Sequence, residues 1–282
     1  MSVKIIVDSA CDITQEKAKE AGLDILPLKT MFGEVEYLDG VTLGHREFFE
    51  KLIESEILPT TSQIAPYEYE ERFRRIKQDG DTAVCITISS ALSGCYQSAC
   101  IAREGYEDCV TIVDSQNVCI GERILVEYAL ELRNQGKNAP EIAEALERKK
   151  GDIRVIALLD TLEYLKKGGR ISQTAALAGT LLSIKPVIAI EHGEVVMLGK
   201  ARGSKNGNNL LTEYVKKSGD IDFEMPYCLA YSGLSDAVLQ KYLADNAALY
   251  RGKTEQIPVS TIGSSIGTHV GPGAIAAAFY AG

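Results

Sequence analysis

The side chains best suited to chemistry are short hydrogen-bond donors, gathered in three stretches far apart along the chain. They are Thr60-Thr61-Ser62-Gln63, Ser89-Ser90-Ala91-Leu92-Ser93-Gly94, and Gly267-Thr268-His269-Val270-Gly271-Pro272-Gly273. Hydroxyls from Thr61 and Ser93, the His269 imidazole and the Gly94 amide would together make a receptor for a carboxylate or a phosphate. None of them carries a permanent charge into an enclosed site. Taken singly, each has a plainer use: a serine ahead of a helix commonly caps it, and a lone histidine on a turn is commonly solvated. The same residues also read as a nucleophilic site, a serine-type acyl hydrolase with Ser93 attacking, His269 as base, and Asp8 or Asp114 orienting the imidazole. Against that, Ala91-Leu92-Ser93-Gly94-Cys95 is not a G-x-S-x-G elbow. Nothing nearby marks Cys95 or Cys119 as an activated thiol. A small-phosphate or sugar-phosphate binder is the third reading, resting on loops at helix entrances.

The elements that must carry these residues are legible in outline. Val3–Val7, Ala83–Ile88 and Val110–Val113 are short apolar runs, each followed by a helical pattern. That alternation implies a parallel α/β sheet. The polar clusters Asp8-Ser9, Ser89 to Ser93 and Asp114-Ser115 then fall at the carboxyl ends of strands, where such sheets gather ligands. Four glycines and prolines around His269 imply a shaped, non-helical backbone, with a helix opening at Ala274 to Ala278. His269 would then stand at a helix entrance, a favourable place for an anion. Past Gly151 the pattern changes to helices on a mixed or antiparallel sheet. It includes a helix over 160–172 with a glycine stop, a following helix capped by Ser172, and a hairpin about His192-Gly193. The expected division is a parallel-sheet α/β/α domain over 1–155 and a smaller α+β domain over 156–282.

Composition narrows the classes. At 282 residues the chain can bury a large core, and its net charge of −9 argues against general nucleic-acid binding. The seven cysteines show no C-x₂-C pairing, so neither a metal nor another cofactor is implied. Their odd number, with no secretory leader read, points to a reducing cytoplasm. No apolar run reaches the ~18 residues of a membrane span. Integral insertion is therefore not expected, though transient membrane contact stays open. Locally basic segments, Lys166-Lys167-Gly168-Gly169-Arg170 and Lys200-Ala201-Arg202-Gly203-Ser204-Lys205, could steer an acidic or phosphate-bearing partner.

In combination these stretches resemble the DegV family of bacterial fatty-acid-binding proteins. The resemblance is carried by Ile6-Val7-Asp8-Ser9, Thr60 to Gln63, Ser89 to Ala99, Val113-Asp114-Ser115, Asp160 to Ser172, Ile184-Lys185-Pro186, Gly199 to Gly203 and Gly267 to Gly273. Each is weak alone; their order and distances make the set specific. The resemblance implies a non-catalytic lipid carrier that presents a long-chain fatty acid to the catalytic subunit of a fatty acid kinase, in phospholipid metabolism. Thr61, Ser93 and His269 would hold the carboxylate, with Ser62 and Gly94 beside them. Arg170 and Arg202 would meet the kinase and its phosphate donor. Ile64-Ala65 and Cys95 and Cys119 depart from the family's usual proline-serine, threonine and serine.

Overall fold

The structure is a computed structural model and describes residues 2–171, 184–252 and 254–282. The first half runs β1 (Val3–Asp8), α1 (Gln15–Ala21), β2 (Leu23–Leu26), β3 (Lys29–Phe32), β4 (Val35–Leu38), α2 (His45–Glu54), β5 (Thr60–Ser62) and α3 (Pro66–Gln78). It continues with β6 (Thr82–Thr87), α4 (Cys95–Ala102), β7 (Val110–Asp114), α5 (Ile120–Asn134) and α6 (Ala139–Lys149). The second half has β8 (Ile153–Leu158), α7 (Glu163–Lys167), β9 (Ile184–Glu191), β10 (Glu194–Arg202) and α8 (Ser204–Lys217). It ends with β11 (Cys228–Tyr231), α9 (Ala237–Asp245), β12 (Val259–Thr261), α10 (Ser264–Val270) and β13 (Ile275–Tyr280).

The expected α/β class holds: a parallel sheet of order β2-β1-β6-β7 stands beside a mixed six-stranded sheet, β10-β9-β8-β13-β11-β12. In the second sheet only β11 and β12 run parallel. The parallel sheet is built outward from β1, with β2 on one side and β6 on the other. Its switch point lies between β1 and β6, where ligands collect beyond the carboxyl ends. Ile5, Ile6 and Val7 of β1 and Ala83 to Ile86 of β6 are fully buried, as strands covered on both faces must be.

Period-two alternation divides the six-stranded sheet between two cores. Val155, Ala157, Ile188, Ala276 and Ala278 join the core of the parallel sheet. Their alternates Ile156, Leu158, Val187, Ala277 and Phe279 pack with Leu211 and Val215 of α8 and with Leu239 and Leu243 of α9. Helix α5 contacts β1 of one sheet and β8, β11 and β13 of the other. It is accordingly buried far beyond one stripe, from Ile120 through Val126. A third, small sheet, β4-β3-β5, packs on α2 through Phe48 and Phe49.

Several expectations change. Residues 264–270 are helical, and Ala274 to Ala278 belongs to a strand and its approach rather than to a helix. Thr60–Ser62 is not loop but a strand paired with β3. The helix expected over 160–172 is confined to Glu163–Lys167. The cap expected at Ser172, and the helix after it, lie outside the described residues. Strand β8 crosses the expected 155/156 division and belongs to the six-stranded sheet.

Candidate functional site

Strand β5 brings the first donor into place. Thr61 stands directly opposite Thr30 on β3, so both side chains share one face of the small sheet. Each reaches the same helix. Thr30 Oγ1 meets Ser264 Oγ at 2.9 Å, and Thr61 Oγ1 meets His269 Nε2 at 2.9 Å. Ser264 Oγ already donates to Asp39 Oδ1 at 2.8 Å, so Thr30 is the donor in the first pair. The N-terminus of α10 is held further by buried carboxylates. Asp39 Oδ1 accepts from Ser264 N at 2.7 Å, and Asp12 Oδ1 accepts from Gly263 N at 2.7 Å.

His269 is thus at the C-terminal end of a helix, not at the entrance of one. The dipole there disfavours an anion, so any anion held here relies on hydroxyl and imidazole donors. The residue before α4 has no room for a side chain: a Cβ on Gly94 would lie 1.8 Å from Gln63 Oε1. Gln63 is fixed in that position by donating from Nε2 to Ser98 Oγ at 2.9 Å. Gly168 is similarly required, because a Cβ there would lie 2.2 Å from His269 Nδ1. That nitrogen is buried and has no hydrogen-bond partner among the described residues. Burial, and then the nearby Arg170 guanidinium, lower the His269 pKa to about 4. The imidazole is neutral at neutral pH.

Ser93 follows β6 in the turn before α4. Its hydroxyl donates to Cys95 Sγ at 3.3 Å and accepts from Cys95 N at 3.3 Å. Arg170 is half-buried; its Nε donates to Leu92 O at 3.3 Å and its Nη1 to Gly168 O at 2.6 Å. Neither candidate orienting carboxylate touches the histidine. Asp8 accepts from Ala10 N and Ile88 N, and Asp114 accepts from Ser90 and Gln116. Burial pushes the Cys95 thiol up to about 12 and raises that of Cys119, so neither is poised as a thiolate.

One cavity of ≈ 340 Å³ brings most of the expected residues together. Thr61, Ser62, Ser93, Gly94, Arg170 and His269 all line it. Arg202 does not; it is exposed at the end of β10. The remaining wall is mainly apolar and comes from both sheets, with Ile88 after β6 facing Val155, Ala157, Ile188 and Ala276. The β9–β10 hairpin is anchored over the carboxyl end of β6, where Ser89 Oγ donates to Gly193 O at 2.8 Å. Its two-residue turn needs the left-handed conformations at His192 (φ 51°) and Gly193 (φ 83°).

Of the polar lining residues, Ser265 was not singled out by the sequence reading, and Gln63 and Cys119 were named there without a place in the site. Gln63 was visible as a motif member but its seat against Gly94 was not. Ser265 stands four residues before His269, a spacing that carries meaning only once the segment is known to be helical. Among the described residues no group of three or more His, Cys, Asp or Glu could hold a metal ion. Among them, too, no helix is long and apolar enough to cross a membrane.

Comparison with known proteins agrees with this architecture along the whole chain. A family model described as an uncharacterised protein of the DegV family matches residues 2–282. A DegV domain-containing protein of Caldanaerobacter subterraneus subsp. tengcongensis is 33% identical over 275 residues, 96% of each chain. Among solved structures, a fatty-acid-binding DegV family protein from Thermus thermophilus superposes with a TM-score of 0.89 at 30% identity, covering 100% of both chains. A stearic-acid-binding protein from Eubacterium ventriosum gives 0.86 at 26% identity, covering 99% of this chain and 98% of that one. With a family model spanning nearly every residue and relatives matched end to end, the chain belongs to the DegV family.

Proposed function

We propose that this protein binds a long-chain fatty acid in the cavity, with the carboxylate at Thr61, Ser93 and His269 and with Ser62 and Gly94 beside them. The observation that carries the reading is the Thr61–His269 contact of 2.9 Å in the wall of a mainly apolar cavity. Burying an acyl chain gains about 0.8 kcal/mol per CH₂, so the tail supplies the affinity. The carboxylate is the costly part to bury, and hydrogen bonds to a charged group, worth about 1.5–3 kcal/mol each, offset that cost. The fatty acids named for the Thermus and Eubacterium proteins support the same ligand class here.

The hydrolase reading is disfavoured by the same geometry. His269 Nε2 is engaged by Thr61, its Nδ1 has no orienting partner among the described residues, and the Ser93 hydroxyl is turned to Cys95. A histidine with a pKa near 4 is also a weak general base at neutral pH. We therefore read the protein as a carrier that presents the acid to a cytoplasmic fatty acid kinase for conversion to an acyl-phosphate. Arg170 in the cavity wall and the exposed Arg202 would face that partner.

The direct test is mass spectrometry of an organic extract of the purified protein, with uptake of labelled palmitic acid measured in parallel. Bound or captured fatty acid is expected; protein that is empty and takes up none would end the proposal. For the partner surface, Arg202→Ala should keep fatty acid binding and lower acyl-phosphate formation when the kinase is added. Equal loss of both would contradict the separate roles.

A further inference from the structure

Ser265 is anomalous among the residues lining the cavity. It is 3% exposed, and its Oγ is buried without a hydrogen-bond partner among the described residues. Deeper in a helix a hydroxyl can return to the carbonyl four residues back, as Thr268 does by donating to Ser264 O at 2.8 Å, but Ser265 is the second residue of α10 and has no helical carbonyl at that spacing. An unpaired buried hydroxyl is a standing cost in an empty pocket and a gain for any ligand that supplies the missing partner. Cys119 belongs to the same cavity wall.

The position relative to the head-group site is set by the helix. Ser265 and His269 are four residues apart on α10, so they share one face at a separation of about one turn, ~5.4 Å. An oxygen on the β-carbon of an acyl chain, followed by one hydrogen bond, covers that span from the carboxylate. An oxygen at the far end of the chain does not.

We propose that Ser265 makes this cavity selective for fatty acids bearing an oxygen substituent near the carboxyl end, with β-hydroxy acids as the ligand class. The proposal rests on the reading that the cavity holds a fatty acid. No covalent step is involved: the Ser265 hydroxyl pairs with the ligand hydroxyl, and each gains the partner it would otherwise lack. A site that pairs a ligand hydroxyl discriminates against the analogue lacking it, because its own polar group is then left unmatched.

The test measures affinities of palmitic, β-hydroxypalmitic and ω-hydroxypalmitic acids for the intact protein and for Ser265→Ala and Ser265→Val. The intact protein should prefer the β-hydroxy acid to the ω-hydroxy acid by about tenfold. Both variants should lose that preference while binding palmitic acid as well as before or better. Retained palmitic acid binding also certifies that the variants are folded. A preference that survives in both variants, that is shared equally by the ω-hydroxy acid, or that is absent from the intact protein overturns the role of Ser265. Failure of the intact protein to bind any of the three acids instead overturns the fatty acid reading itself.

Discussion

At the scale of single residues, what matters about the Thr61–His269 pair is where its protons go. With Nε2–H donating to Thr61 Oγ1 across 2.9 Å, the threonine hydroxyl keeps its own proton for a ligand carboxylate. The opposite tautomer would spend the threonine proton on the ring and leave none for the ligand. In that tautomer the neutral imidazole acts by orienting the Thr61 hydroxyl toward the acid, its own single proton being spent on Thr61. Thr61→Val keeps the shape and removes the donor. It should weaken palmitic acid binding about tenfold to a hundredfold, from the ~1.5–3 kcal/mol of a hydrogen bond to a charged group. Titration calorimetry reads this directly. The His269 ring of the empty protein, followed by NMR, should titrate near pH 4. Binding should consequently show no histidine step between about pH 6 and 8, where an ordinary exposed imidazole changes charge.

At the scale of elements, helix α10 and the turn after α7 hold the imidazole between them. A methyl group on Gly168 would lie 2.2 Å from His269 Nδ1 and 3.1 Å from Tyr164 O. Its backbone is an ordinary right-handed one, with φ of −74°, so alanine brings no conformational strain. Gly168→Ala should therefore push the ring off Thr61 and lower fatty acid affinity by at least about tenfold, with little change in melting temperature. Gly267→Ala is the contrasting variant. Its Cβ would lie 2.4 Å from the Phe48 ring, in the core between α10 and α2. Overpacking of that kind costs about 1–3 kcal/mol, more than the up to ~1 kcal/mol by which alanine is the better helix former. A lower denaturant midpoint is expected for it, read by circular dichroism. These two glycines also explain what the sequence hid. Gly267 lies inside a helix because aromatic rings press on it, so glycine content alone misdirects the reading toward a loop. Ala274 to Ala278 has strong helix propensity, yet β13 is paired on both edges, to β8 and β11, and buried on both faces. Tertiary context decides such a segment, and propensity does not see it. The donor residues themselves were legible as motifs, because their chemical types do not depend on which element carries them. Arg170 as a cavity residue, Gln63 as the neighbour that keeps Gly94 bare, and Ser265 required the fold.

At the scale of the whole molecule, the cavity lies where two sheets and helix α5 share one core, and that core encloses acids as well as hydrocarbon. Asp8, Asp12 and Glu122 are all buried, and neither Glu122 oxygen has a hydrogen-bond partner among the described residues. Burial raises the Asp8 pKa to about 7 despite two backbone donors. Burial, and then repulsion from Asp39, raise that of Asp12 to about 8; Glu122 is raised well above its ordinary value, again mainly by burial. A carboxyl whose folded pKa exceeds its unfolded value binds its proton more tightly in the native state. The stability it contributes is complete below the unfolded pKa near 4 and is lost as pH rises through the folded value. His269 has the opposite shift: its contribution is present above about pH 6.5 and is lost as pH falls through about 4. Two raised aspartates and a raised glutamate outweigh one histidine over the shared range. The unfolding free energy should therefore decline between about pH 5 and 8. The decline should be on the order of a few kcal/mol, since a tenfold difference in proton affinity between folded and unfolded chains is worth ~1.4 kcal/mol. Urea denaturation at the two ends of that range measures it. Asp12→Asn keeps an acceptor for Gly263 N but cannot ionise, so it should flatten the decline and gain most at the alkaline end. A variant whose stability follows pH as steeply as the parent would show that Asp12 is charged in the folded protein, with its carboxylate hydrated or neutralised at the junction of the sheets.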